Sequence, residues 1–489
     1  MEASGNTLTI SRKEYRQLLQ FKEEVVLLKY QLAELRRMIF GAKSERFIAT
    51  DSNQMTLFDL PEQQTKSQEK EQITYTRNKS DKNKKQPLRL ELAPHLPRKE
   101  EIIEPEHLPE GAKKIGQAVT EILEYEPANI YVRKIIRPKY IVSSNDEQTQ
   151  ITIANLPTLP IPKGNAGAGI LAHILVSKFV DHLPFYRQKQ IFKRQGVVIA
   201  ESTINGWFNA TTTLLEPLYE ALKKQLLSTD YIMADETPLP VLTKDKPGTT
   251  HKGYDWVYYD PVNKLVLFDY QKTRSREGPD KMLEKYSGYL QTDGYGAYSH
   301  FGNQKNITLL ACMAHARRKF EHAKDNDPGR AKEALLLFQK VYDIERTARE
   351  ENLNFDQIKE LRQKKAVPVL NEMETWFKEH IYQVLPKSAI GEAIAYTLKL
   401  WPRLKRYVED GRFRIDNNLI ENSIRPVALG RKNYLFAGSH HAAQQAAIAY
   451  SLLATCKINE VEPFGWLKHV LDIIPDYPAN QLHKLLPGN

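Results

Sequence analysis

Cysteine is almost missing from this chain: two among 489 residues, Cys312 and Cys456. Set so far apart, they supply neither a disulfide framework nor a CxxC zinc pair. No apolar run reaches the length of a membrane span. The opening segment, MEASGNTLTISRKEY, is polar with an early acid, unlike a signal peptide. A cytoplasmic protein with no membrane partner is expected. What is present is 41% hydrophobic and 27% charged residues, the balance of a globular chain long enough for more than one domain. The formal net charge of +10 favours a polyanionic partner.

The character of the chain shifts along its length. Leu18, Val25, Leu32 and Ile39 fall seven apart, and Phe21, Leu28 and Leu35 repeat with an offset of three. This a/d seam predicts a self-associating coiled coil over residues 12–45, and hence a homo-oligomer; an amphipathic helix packed on its own subunit is the alternative. Residues 61–90 are rich in Lys, Gln and Asn and read as a disordered basic linker. Residues 91–155 read as a small β-rich module, with Pro138 of NIYVRKIIRPKYIV marking a break or an edge. Residues 165–228 are helical. Within them, PFYRQKQIFKRQGVVIAESTINGWF gives a basic helix, a break at Gly196, and a second helix from Thr203 capped by Ser202. That is a helix-turn-helix pattern, or else two ordinary packed helices. Read as the former, it offers Lys193 and Arg194 to the DNA backbone, and Ser202, Thr203 and Asn205 to phosphates or base edges.

From residue 231 the periodicity changes. YIMAD reads as a short strand, YDWVYYD and KLVLFDYQ as a hairpin through PVNK, GPDKMLEKY as a short helix, and GYLQTD and NITLLACM as two more strands. A helix starts at AHARRKFEHA, so the class is α/β, a mixed sheet flanked by helices. Two strands are expected to end in an aspartate, Asp235 and Asp293. Clustered carboxylates repel one another and persist when a divalent cation sits between them. A third acid is sought on a packed helix. Glu421 is the first candidate, on a helix expected over Asn418–Ile424 that stops before Pro426, and Asp416 competes with it. Arg425, Arg431 and Lys432 follow, as a phosphate backbone would require. Taken singly, each acid has an ordinary reading: a cap for Asp416, a surface charge for Glu421, a turn residue for Asp293. Trp256, Tyr258, Tyr259, Trp401 and Trp466 are expected in the core.

The stretches MADETPLPVL, LQTDGYGAY, CMAHARRKF and DNNLIENSIRPVALGRKNYLFAGS closely resemble the large transposases of the bacterial IS66 insertion sequences, the TnpC type. The resemblance covers nearly the whole chain. The segment ending IFGAKSER is similar to that family's leucine-zipper region, and residues 441–489 to its C-terminal helical element. The resemblance implies a ribonuclease H-like catalytic core of the DDE class over residues 229–440, with a helical insertion at about 322–410. It puts Asp235, Asp293 and Glu421 on the catalytic, metal-binding triad. It further implies Mg²⁺, with Mn²⁺ as the alternative ion, DNA as partner, and accessory proteins encoded by the same element. Water would cleave the strand and the freed 3′-hydroxyl would join it to target DNA. His315 and Arg318 of CMAHARRKF gain a role near the site, contacting phosphate, against the ordinary structural reading of a lone histidine. Glu236 is expected to support the site or to be solvated. Many relatives carry a zinc module with paired cysteines after the linker. Residues 91–155 have none, so no zinc is expected and the module should fold on its own β core. Two other functions stay open: a metal-dependent nuclease of the same fold, and a non-enzymatic DNA-binding protein with a vestigial triad.

Overall fold

The structure, a computed structural model, describes residues 92–105, 112–126, 129–143, 149–243 and 248–488. The predicted coiled coil and basic linker lie outside the described residues.

The first sheet is built from β1 (Arg98–Ile102), β2 (Lys113–Glu126), β3 (Asn129–Ser143) and β4 (Thr149–Ile153). β3 pairs in parallel with β1 and antiparallel with β2 and β4. Pro138 lies inside β3 and does not end it. It falls between the last β1 pair, at Ile136, and the first β4 pair, at Lys139, where that flank of β3 has no ladder. The expectation of a separate β core is corrected. Only Ile122, Ile135 and Leu159 form a cluster of their own, while Leu123, Tyr125, Ile130 and Val132 belong to the main core. The face carrying Leu123 and Val132 joins the main core against the helix that follows, and Ile122 and Ile135 on the other face are covered by Leu159. That helix is α1 (Ala168–Phe179), and Glu124 of β2 accepts the Gly169 N–H at 2.7 Å at its start.

Helices α2 (Phe185–Arg194) and α3 (Glu201–Leu227) come next. The chain breaks at Gly196, whose φ of 81° favours a residue without Cβ. The second helix starts earlier than its sequence suggests. Its cap is Ala200, with no side-chain hydrogen bond, so Ser202 is a helical residue and caps nothing. Buried Val197 and Ile199 anchor the turn and set the helix entry in place of a polar cap. Trp207 and Phe208 are buried in the main core.

The second sheet has the order β7-β6-β5-β8-β9, from β5 (Tyr231–Leu242), β6 (Thr250–Asp260), β7 (Leu265–Gln271), β8 (Gly288–Thr292) and β9 (Ile307–Ala311). β5, β6 and β7 are antiparallel neighbours, and β8 and β9 run parallel to β5. Asp260 closes the β6–β7 hairpin by accepting the Val262 and Asn263 N–H groups at 2.8 and 3.0 Å. Helix α4 (Glu277–Met282) links β7 to β8. After β9 come α5 (Met313–His322), α6 (Pro328–Glu350), α7 (Phe355–Leu361), α8 (Val367–His380) and α9 (Ala389–Leu404), then α10 (Asn418–Tyr434), α11 (His440–Ile458) and α12 (Pro463–Ile473). α11 lies along the outer strand β7. Its Ser451 and Thr455 hydroxyls accept the Phe268 and Val266 N–H groups at 2.8 and 3.2 Å, which closes that edge to further pairing.

Two predicted element ends are corrected. β5 does not stop at Asp235; it continues seven residues, through Pro238 and Pro240. The Pro240 carbonyl accepts the Ala437 N–H at 2.8 Å, and the Pro238 carbonyl accepts Arg431. Both prolines therefore present their backbone to the flank that β8 has already left, where no strand asks for an N–H. α10 does not stop before Pro426; it carries this proline inside it. The carbonyl that loses its partner belongs to exposed Asn422, where water can replace the bond. Trp256, Tyr258, Tyr259 and Trp401 are buried, and half-buried Trp466 donates its Nε1–H to the Leu485 carbonyl at 3.0 Å. Among the described residues no helix is long and apolar enough to cross a membrane.

Candidate active site

β5 and β8 pair in register from Tyr231 with Tyr289 to Met233 with Gln291. Carried two residues further, the same register sets Asp235 beside Asp293. Asp293 is the first residue past β8. Its Oδ1 accepts the Tyr295 N–H at 2.7 Å, and its carbonyl accepts the Tyr396 hydroxyl at 2.7 Å. Gly294, at φ 91°, makes the sharp turn after it. Glu421 stands in the first turn of α10, whose start is held against β9 and α5 by the bond from Met313 N–H to the Ile415 carbonyl at 3.0 Å.

The three carboxylates share one electrostatic field. Burial pushes the Asp235 carboxyl up to about 8, and the charges of Glu236, Asp293 and Glu421 push in the same direction, against the Glu236 N–H that Asp235 accepts at 2.8 Å. Glu421 Oε1 is buried without a hydrogen-bond partner. Its nearest basic groups are Arg318 Nη2 at 3.7 Å and His315 Nε2 at 4.0 Å, too far for hydrogen bonds. Burial and the Arg318 charge lower the His315 pKa, so its ring is neutral near pH 7. Asp416, the competing third acid, is otherwise engaged: it accepts from the Tyr342 hydroxyl at 3.1 Å and from Asn418 at 3.1 and 2.8 Å. An orphaned carboxylate oxygen and an aspartate whose pKa is raised by burial and by neighbouring carboxylates fit a divalent cation, which would supply the missing partner and reverse the repulsion. Among the described residues no group of three acids, histidines or cysteines is drawn into metal-ligand geometry.

Glu236 is not solvated. Its side chain is 2% exposed and held by the Arg274 guanidinium, with Nε at 2.8 Å, and by the Tyr298 hydroxyl at 3.3 Å. Arg274 itself lies over the Tyr295 ring, 3.8 Å from its centroid. Sequence reading missed this bracket of Arg274, Tyr295 and Tyr298, since only the fold brings Arg274 to Glu236 across 38 residues.

The predicted DNA contacts divide. Lys193, Arg194, Ser202, Asn205, Arg318, Arg425 and Lys432 are exposed, and Thr203 and His315 half-buried. Arg431 turns inward instead: it donates to the Pro238 carbonyl, and its charge bears on buried Asp255. The inward turn follows from the extended β5 and its partner β6, which put the Pro238 carbonyl and the Asp255 carboxylate within reach of this arginine.

The family model "Transposase IS66 family" matches residues 163–445, which hold every element of this site. The chain belongs to the IS66 transposase family. Two further family models match, "Transposase C of IS166 homeodomain" over residues 27–100 and "IS66 C-terminal element" over residues 451–487. Among curated proteins, this IS66-family chain is 32% identical over 493 residues to the uncharacterized protein y4jD of Sinorhizobium fredii, covering 96% of each chain. It is 33% identical to the uncharacterized protein y4qI of the same organism, over 96% of this chain and 89% of the relative. A shorter match, 41% identity over 49 residues, is to the uncharacterized protein YuaK of Escherichia coli, over 10% of this chain and 52% of the relative.

Proposed function

We propose that the chain is a DDE transposase, with the β7-β6-β5-β8-β9 sheet as a ribonuclease H-like core and Asp235, Asp293 and Glu421 as its catalytic acids. The substrate is the DNA at the ends of an insertion sequence, cleaved and then joined through its 3′-hydroxyl to target DNA. The observation that carries the reading is the β5–β8 register, which leads to Asp235 beside Asp293, with the Glu421 charge felt at Asp235. Divalent ions, Mg²⁺ or Mn²⁺, would when bound activate the attacking water or 3′-hydroxyl and stabilise the leaving oxygen. Asp235 is carried by β5 and Asp293 by the turn that follows β8, and Glu421 would bring the third carboxylate from α10. Arg318, half-exposed beside Glu421, is placed to meet a phosphate, and neutral His315 offers a ring nitrogen without adding charge. Glu236, fixed by Arg274, keeps the Asp235 backbone in position. Exposed Lys193, Arg194, Arg425 and Lys432 supply the sequence-independent grip on the phosphate backbone.

The test is strand cleavage and strand transfer on oligonucleotides from the element's ends with Mg²⁺. Asp235→Asn, Asp293→Asn and Glu421→Gln should each reduce both steps by roughly a thousand-fold or more and leave DNA binding within about two-fold. Asp416→Asn should retain most activity. Loss with Asp416→Asn but not with Glu421→Gln would reassign the third acid. Cleavage by the parent protein without any joined product would make it a nuclease.

A further inference from the structure

We propose that a crevice between α1–α3 and the turn joining α10 to α11 holds one unpaired nucleotide of the bound DNA. This rests on the reading of the chain as a DNA transposase.

The crevice has a volume of about 270 Å³ and is lined by Phe185, Phe208, Tyr434 and Phe436. That is room for a single small ligand with flat apolar walls, not for a duplex. Lys178 of α1 reaches into it. Its Nζ lies 3.9 Å from the Phe185 ring centroid and 4.9 Å from that of Tyr434. It makes no hydrogen bond or ion pair among the described residues. Burial lowers its pKa to about 8, with the Glu201 charge opposing. A half-buried lysine whose ammonium has ring faces but no ion pair is incompletely compensated, and an anionic ligand would complete it.

The start of α11 opens onto the same space through Gly438, Ser439, His441 and Ala442. Ser439 caps this 19-residue helix by accepting the Ala442 N–H at 3.0 Å, and the helix presents its positive end to the crevice. An ammonium and a helix N-terminus call for phosphate; the ring walls call for a planar group. At the rim stands Asn205, whose Nδ2 donates to the Glu201 carbonyl at 2.8 Å and whose Oδ1 remains to accept from a base edge. Its role is then to face this crevice instead of a major groove.

Phosphate and base face together belong to a nucleotide, and paired, stacked bases hide their faces, so the nucleotide must be unpaired. Leu239 joins the lining from β5, four residues past Asp235 and roughly 13 Å along the strand. The captured nucleotide would thus lie a few positions from the reacting phosphate.

The experiment uses the full chain and two probes, a short blunt duplex and the same duplex with an unpaired oligothymidine tail. Lysine acylation by an N-hydroxysuccinimide ester at pH 8 is read residue by residue by mass spectrometry. The tailed duplex should protect Lys178 roughly ten-fold more than the blunt duplex does. By fluorescence anisotropy, Lys178→Met should weaken the tailed duplex roughly ten-fold and the blunt duplex less than two-fold. If both duplexes bind while Lys178 is labelled equally in either complex, the proposal is overturned and the transposase reading stands. If neither duplex binds, both fall.

Discussion

Asp235 carries its proton to unusually high pH in the folded chain. Burial and three neighbouring carboxylates set its pKa near 8, against 3.8 for an ordinary aspartate. The unfolded chain therefore releases this proton first, and the stability tied to it is full below about pH 4 and lost as pH rises through 8. In EDTA, Asp235→Asn should be more stable than the parent at pH 8 by roughly 1 kcal/mol or more, with the gap closing toward pH 4. Urea midpoints across that range check it; a gap that does not move with pH would mean that the carboxyl titrates normally. Mg²⁺ at pH 8 should raise the parent more than the variant. The acids themselves were legible in the sequence, because a carboxylate beside an apolar strand is chemically conspicuous. Their surroundings were not: the Arg274 clamp on Glu236 and the Tyr342 bond to Asp416 join residues 38 and 74 apart.

Among the elements, the helices after β9 depend on one buried ion pair. Arg362, with 2% of its side chain exposed, binds both Glu345 oxygens at 2.8 and 2.7 Å. It also donates to the carbonyls of Tyr407, Asp410 and Phe413 at 2.9, 2.8 and 3.0 Å. Those carbonyls lie on the segment that leads from α9 toward Asp416 and Glu421, so the pair ties the α6–α9 layer to the third acid. Arg362→Met should cost about 3–5 kcal/mol, since it strands the Glu345 carboxylate in the interior. Adding Glu345→Leu should recover part of that loss. Denaturant unfolding of both variants measures it, and an unchanged midpoint for Arg362→Met would show that the pair adds no stability. In the sequence this arginine sits in ELRQKKA and looks like solvated charge. The ends of β5 and α10 misled for a related reason: proline marks a break unless the neighbouring strand or the solvent leaves its missing N–H without consequence, and that depends on packing.

Among the described residues, the larger hydrophobic core runs from Leu96 to Leu486. The first sheet, the α2–α3 pair and the C-terminal helices all feed it. The pair is bound into the core by Trp207, by Tyr219, whose hydroxyl donates to the Phe268 carbonyl at 2.9 Å, and by Arg187, which donates to Asn433 at 3.1 Å. The helix pair proposed to meet DNA and the acids proposed as catalytic therefore share one scaffold. The heptad seam from Leu18 to Ile39 leads to a prediction for the assembly. A chain lacking residues 12–45 should sediment as a smaller oligomer than the full chain. An unchanged subunit number would mean that the seam packs within its own subunit.

The sequence alone established the α/β class and the alternation of strands and helices, because periodicity is a local property, and its motifs pointed to the family by resemblance. It also singled out three acids in separate motifs. Tertiary structure decided what those acids face, which of Glu421 and Asp416 is left without hydrogen-bond partners, and that Arg431 turns inward while Arg425 does not. It decided too that the small sheet joins most of its buried apolar side chains to the main core and keeps only a small cluster of its own. Each of these depends on burial and on partners distant in the chain, and the free energy of a buried charge is set by what surrounds it, not by its neighbours in sequence.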